Sequence, residues 1–248
     1  MYAVQSRATS VDPLLLACTQ VETFIGPRAL TAASGFFFQR GPHLFLVTSR
    51  HALLDLASDH RPQRVEFCLH AAGIDLTHQH RISLPLYDDG IPQWRQAGNG
   101  GSDVDVATLE IPAMAMPRGA QFCAFGTRHI QVQMHAVRLG QALLVAGFPL
   151  GFHDTVHHLP VVRSAIVASA FGVRFRGQGC FVTDAPLHQG SSGAPVVRHD
   201  PDGDPSLPWQ LLGVLAPHTD MKTRDASAEA SLGLNLAWYA DVLLALTQ

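Results

Sequence analysis

The stretch Thr183-Asp184-Ala185-Pro186-Leu187-His188-Gln189-Gly190-Ser191-Ser192-Gly193-Ala194-Pro195 decides how the rest of this 248-residue chain is read. Its second half frames Ser192 with Gly190 two residues before and Gly193 directly after. A Gly/Ser run is by itself an ordinary flexible turn. Backbone geometry gives it a second reading. A glycine at 190 lets the chain fold tightly enough for the amides of Gly190 and Ser192 to point into one cavity. Two such amides can hold the oxygen that becomes negative when a nucleophile attacks a carbonyl.

A serine hydroxyl needs a base to become that nucleophile. Among 14 histidines, His51 is singled out by position. It follows the apolar run that ends in Val47-Thr48-Ser49-Arg50, at the start of a short helical turn spanning 50–56, where a buried strand can present a side chain to a cleft. A carboxylate then has to fix the imidazole tautomer and stabilise its charged form. Asp103-Val104-Asp105-Val106-Ala107-Thr108-Leu109 offers two, on one face by strand alternation. Asp105 leads directly into the apolar strand and is preferred; Asp103 is the alternative.

Outward from these motifs the chain punctuates as an all-β protein. Short runs rich in Val, Leu, Phe and Thr are broken by Gly, Pro, Asn and Asp. Strands are expected over 14–24, 33–39, 44–48, 64–70, 80–86, 104–111, 121–125, 143–147, 161–169, 179–183, 194–198, 211–215 and 233–237. Helix signal is scarce: besides the turn at 50–56, the tail places Trp238, Val242 and Ala245 at helical spacing. The Met114–Gly119 stretch, with Pro112 and Pro117, is the best candidate for a linker, so the expected units are residues 1–117, with His51 and Asp105, and 118–248, with Ser192.

The order His, Asp, Ser with a glycine-framed serine resembles the trypsin-like (chymotrypsin-fold) serine peptidases, and within them the bacterial HtrA-type branch. The resemblance covers roughly residues 14–247. Phe36-Phe37-Phe38 running to His51 is similar to the family's hairpin into "VT-x-x-H". Asp105-Val106-Ala107 is similar to its "D-[IV]-A" strand, and Gly147-Phe148-Pro149-Leu150-Gly151 to its "GxPxG" turn. The Thr183 to Pro195 stretch resembles "TDA…GNSGGP", and Gly233 to Ala237 with the terminal helix also has counterparts. The resemblance implies an all-β fold of two six-stranded antiparallel β-barrels with a short C-terminal helix. It implies a triad of Ser192, His51 and Asp105, an oxyanion hole from the Gly190 and Ser192 amides, and a protein or peptide substrate. The primary pocket would have Pro186 and Leu187 at its base and Leu215, Ala216 and Pro217 as a wall. With no acidic residue at that base, a small or medium apolar side chain is expected there rather than Arg or Lys. Asp184 is expected to be structural.

Departures from the family pattern carry their own expectations. Arg50 stands where many relatives have alanine. Ala52 follows the histidine, so the disulfide that many animal relatives anchor there is absent. Ala194 replaces the second glycine of the serine block. Ser191 replaces the aspartate that zymogen-derived relatives pair with a freed N-terminal amine, so activation by N-terminal cleavage has no partner and is not expected. No peptide-binding domain of the kind many HtrA-type relatives append is expected, and any regulator would be a separate protein.

Composition excludes other classes. The chain is 47% apolar and 15% charged with a formal net charge of −3, which rules out a disordered chain. Lys222 is the sole lysine, and the arginines are scattered without a basic stripe, so nucleic acid is not an expected partner. No apolar run reaches the ~18–20 residues of a membrane helix, and Leu14-Leu15-Leu16-Ala17-Cys18 is too short an apolar core, behind Asp12 and Pro13, to read as an export signal. Cys18, Cys68, Cys123 and Cys180 contain no CxxC pair and are expected as free thiols in a reducing cytoplasm. His153-Asp154-Thr155-Val156-His157 superficially resembles the HExxH zinc motif. Its base position is Asp, and Gly151 and Pro160 flank a segment with little helix signal, so a loop is expected, with no metal or other cofactor. The remaining rival is a protease fold that binds without cutting.

Overall fold

The computed structural model describes residues 11–97, 104–185, 188–216 and 233–248. Among these residues, strands dominate and helices are short. The first half contributes β1 (Cys18–Ile25), β2 (Arg28–Arg40), β3 (His43–Thr48), β4 (Arg64–His70), β5 (Gln79–Pro85), the small hairpin of β6 (Tyr87–Asp88) and β7 (Ile91–Pro92), β8 (Trp94–Gln96) and β9 (Ala107–Glu110). The second half contributes β10 (Phe125–Gly126), β11 (Ala142–Gly147), β12 (Val161–Ile166), β13 (Cys180–Thr183), β14 (Pro195–His199), β15 (Trp209–Ala216) and β16 (Asn235–Tyr239). Among the described residues the α-helices are single turns, α1 (Pro13–Ala17), α2 (Arg50–Leu53) and α3 (Val242–Leu246), accompanied by four three-residue 3-10 turns.

Two antiparallel sheets result. The first runs β5-β4-β1-β2-β3-β9-β8, with β10 lying parallel along β2. Its six longer strands are those expected of a first barrel, and β8 and β10 are short additions. The second has six strands in the order β12-β11-β14-β15-β16-β13. Its outer strands meet through the Val167–Thr183 bridge and the Ala168 N–H bond to Val182 O (2.8 Å), which closes the sheet on itself.

Strand alternation in β2 explains how the sheets join. Phe37 points into the first barrel with Val21, Leu46, Val65 and Phe67. Its neighbours Phe36 and Phe38 point the other way, into a shared core with Val197, Val214, Leu236 and Trp238 from the second sheet. The second barrel has its own interior around Leu143, Val145, Phe181, Val196 and Leu212. All three phenylalanines are at most 1% exposed, so β2 is buried on both faces and fixes one barrel against the other.

Several boundaries differ from the sequence expectation. Residues 14–17 are helical rather than the start of a strand, because Pro13 presets the first turn and Asp12 caps it, accepting from Leu14 N–H at 2.8 Å. Trp238 is a strand residue, paired with Val214 and Cys180, and the terminal helix starts only at Val242. Ladder pairing there overrides local spacing. The expected strand at 121–125 reduces to Phe125–Gly126 plus a single bridge from Gln121 to His70. Contacts also cross the expected linker. β10 belongs to the first sheet, and α3 docks on the first barrel, where Thr108 Oγ1 donates to Leu246 O (3.0 Å) and Arg40 to Leu244 O. No helix among the described residues is long and apolar enough to cross a membrane.

Candidate active site

The first two site residues are brought together by strand register. β3 and β9 are antiparallel neighbours with Thr48 opposite Ala107. His51 lies three residues beyond Thr48 and Asp105 two residues before Ala107, so both overhang the same edge of the sheet. Ser49 follows the strand in extended conformation as the N-cap, and α2 begins at Arg50. There His51 is clamped at two points by one carboxylate. Its backbone N–H donates to Asp105 Oδ1 (2.9 Å), and its Nδ1 lies 2.6 Å from Asp105 Oδ2. The Asp105 side chain is 9% exposed and the His51 side chain 36%. A buried carboxylate holding Nδ1–H leaves Nε2 as the free lone pair. The alternative carboxylate, Asp103, lies outside the described residues.

Ser192 comes from the other barrel. It sits in the turn before β14 and is buried. Ser192 O accepts from Ser34 N–H on β2 (2.9 Å), and the Gly193 and Leu215 amides tie the turn to β15 through Leu215 O (2.8 Å) and Ala194 O (2.9 Å). Gly193 has φ +85°, and a Cβ there would stand 2.3 Å from Ser34 O, 2.7 Å from Thr48 Oγ1 and 2.8 Å from Ser49 N. Only glycine fits that approach. It sets the residue after Ser192 against the residues immediately before Arg50-His51, at the seam of the two barrels. Among the described residues, His51 gives its hydrogen bonds to Asp105 and none reaches the Ser192 hydroxyl. Such bonds commonly tighten only when substrate binds.

The backbone at Gly190 is oriented from two sides. Leu150 N–H donates to Gln189 O (2.6 Å), and Ser34 Oγ donates to Gly190 O (2.7 Å) while accepting from Phe148 N–H (2.9 Å). No peptide bond among the described residues is cis. In a trans peptide N–H points opposite to C=O, so the Leu150 bond turns the Gly190 N–H away from the 148–151 turn. Gly190 has φ +89°, and a Cβ on it would meet Phe148 O at 2.7 Å. Among the described residues neither the Gly190 nor the Ser192 N–H has an acceptor. Two spare amides beside a serine are the donor set that a developing oxyanion requires.

Sequence reasoning missed Ser34, Leu150 and Asn235. Ser34 is fully buried and joins both barrels at the serine turn. Asn235 Nδ2 donates to Ala185 O (2.7 Å), holding the chain that leads toward the expected pocket base. A serine before a glycine, a leucine in an exposed turn and a strand asparagine give no signal in one sequence. Of the expected pocket residues, Pro186, Leu187 and Pro217 lie outside the described residues. Leu215 and Ala216 are buried in β15, Leu215 in the second-barrel interior and Ala216 in the shared core. The backbone N–H and O of Leu215 are taken up by Ala194 O and Gly193 N–H. Asp184 has a structural task, since its Oδ1 accepts from Ile166 N–H (2.6 Å) at the barrel closure.

The 153–157 segment is a loop, with Asp154 Oδ1 accepting from Val156 and His157 N–H and Asp154 bridging to Leu159. No group of three metal-ligating side chains occurs among the described residues. All four cysteines are thiols. Burial pushes Cys123 and Cys180 up to about 11, and Cys18 higher still.

Residues 33–204 match the trypsin-like peptidase domain, a span that contains His51, Asp105 and Ser192. A serine endoprotease from Yersinia pestis has a similar structure, with a TM-score of 0.54 at 17% identity. The alignment covers 94% of this chain and 62% of that one, so the chain spans less than two thirds of that relative's length. No curated protein matches the sequence.

Proposed function

The chain belongs to the trypsin-like peptidase domain family, and on that premise we propose that it is a serine endopeptidase that cuts peptide bonds through Ser192, His51 and Asp105. The observation that carries this reading is the two-point clamp of Asp105 on His51, which leaves His51 Nε2 as a base beside the seam that holds Ser192. Ser192 Oγ attacks the substrate carbonyl carbon and gives its proton to His51 Nε2. The carbonyl oxygen takes the negative charge and accepts from the Gly190 and Ser192 N–H groups. The C–N bond breaks as His51 returns the proton to the leaving amine, forming an acyl-enzyme. Water then attacks the ester, with His51 taking and returning a proton once more. Asp105 stays ionised throughout and balances the imidazolium.

Ser191 is buried, its N–H bonded to His188 O and its O accepting from Ala194 N–H. That closed turn supports activity without N-terminal trimming. Four thiols fit a reducing compartment, so we place the activity in the cytoplasm, under conformational or partner control, with an apolar primary-site preference.

Digestion of an unfolded protein and of a mixed peptide library by wild type, Ser192→Ala and Asp105→Asn tests the reading. Cleavage by wild type alone supports it. Equal cleavage by all three, or none by any in the presence of candidate partners, sinks it and leaves the binding-module alternative.

A further inference from the structure

The loop between β11 and β12, residues 148–160, carries three histidines that the peptidase mechanism does not use, and it touches both the oxyanion backbone and the opposite barrel. At its near end Leu150 N–H holds Gln189 O, and Phe148 contacts Ser34 and Gly190. At its far end it leans on the first barrel, where β4 His70 Nε2 donates to His157 O (2.7 Å) and β5 Gln79 Nε2 to Val156 O (3.3 Å). Between these ends the rings of His153 and His158 pack 5.0 Å apart and 5.3 and 5.6 Å from the buried ring of Phe148. His158 adopts φ +51°, and among the described residues its buried Nε2 has no partner.

We propose that this loop is an acid-released latch: neutral His158 and His70 hold it against the first barrel, and their protonation frees it and with it the Leu150 bond that orients the oxyanion backbone. This rests on the peptidase reading of the site.

The groups that act on His158 are all basic. His158 faces His153 on its own loop, His70 from β4 and Arg81 from β5; burial first, then these neighbours, push it down to about 4. Burial also lowers His70, against its bond to the His157 carbonyl. The nearby carboxylates are engaged elsewhere, Asp154 with His157 and both Glu22 and Glu66 with Arg81. A proton on His158 therefore meets no counter-charge while the loop is closed. Released into water, the ring returns toward the usual ~6.5, so acid favours the open loop. From those two values, closed-to-open bias falls roughly 30-fold between pH 7.5 and 5 through His158 alone.

The test is amide hydrogen exchange of residues 150–159 in the full chain at pH 7.5 and 5, corrected for intrinsic rates, beside the pH profile of kcat/KM. The variants are His158→Asn, which tolerates the positive φ and does not titrate, and His70→Gln, which keeps a donor for His157 O. Wild type should lose about 30-fold protection at pH 5, and log kcat/KM should fall with a slope steeper than one. His158→Asn should keep its pH 7.5 activity, lose at least about tenfold less protection than wild type and show a slope near one, while His70→Gln, which keeps His158, should still lose about 30-fold. Equal loss of protection in wild type and both variants, or none in wild type, overturns the latch. Should His158→Asn fail to fold, His158→Gly, which also takes the positive φ and does not titrate, decides by the same comparison. Exchange needs no turnover, so the latch is tested even in a protein that never cuts, while absent cleavage at pH 7.5 counts against the peptidase reading alone.

Discussion

Replacing Ser34 with alanine should damage both stability and turnover. Ser34 Oγ donates to Gly190 O at 2.7 Å and accepts from Phe148 N–H at 2.9 Å, in a site with no exposed surface. Its backbone bonds to Ser192 O and Thr48 Oγ1 survive the change. Two buried backbone groups therefore lose their partner, each at a cost of about 1–3 kcal/mol, for a total near 2–6 kcal/mol. For a chain of this size that lowers Tm by roughly 4–24 °C. The same bond positions Gly190, and loss of one oxyanion donor costs about 10²–10³ in kcat; partial loss of its orientation should cost at least about tenfold. Thermal melting by circular dichroism and ester hydrolysis by the purified variant measure the two effects. Thr77→Ala, which removes an exposed hydroxyl bonded to Asp75, is the matched control and should stay within ~0.5 kcal/mol of wild type. A Ser34→Ala protein that melts within about 1 °C of wild type with unchanged kcat/KM would refute the bridging role.

Asp105→Asn should lower kcat by about 10⁴, because the amide cannot hold the imidazole in the productive tautomer; stopped assays over days would resolve it, and near-wild-type turnover would shift the role to another carboxylate. Gly193→Ala should abolish soluble folded protein or cost more than about 3 kcal/mol, since its methyl would collide with three backbone or hydroxyl atoms at a positive φ; a normal melt would show that the turn adapts. Buried Cys18 and Cys180 should resist iodoacetamide at pH 8 in the native protein and react fully after denaturation, with peptide mapping as the readout. Rapid labelling of either would mean that the shared core opens.

Much of this is legible in the sequence, and for identifiable reasons. Thr48 and Ala107 end apolar runs, so the polar residues just outside them overhang a sheet edge, which is where His51 and Asp105 meet. The β4 strand, Arg64–His70, shows in its alternation alone. The glycines at 190 and 193 announce a turn that no other residue could make. What stays hidden acts through the main chain or over long separations. The Leu150 N–H bond to Gln189 O involves no side chain. Ser34 reaches Gly190 across the barrels, and nothing near it in sequence marks a buried bridge. α1 escapes a reading by pattern because a capped proline turn can occupy the head of an apolar run that then continues as a strand. The histidines of 153–158 resemble a failed metal motif in sequence, yet their packing on Phe148 gives them a place in the fold.

The most direct test of the central claim is intact mass after treatment with a fluorophosphonate at pH 7.5, on wild type and on Ser192→Ala. A single adduct on wild type, mapped to Ser192, and none on the variant is the predicted result. An adduct on both proteins, or on neither, would contradict a nucleophilic Ser192 activated by His51.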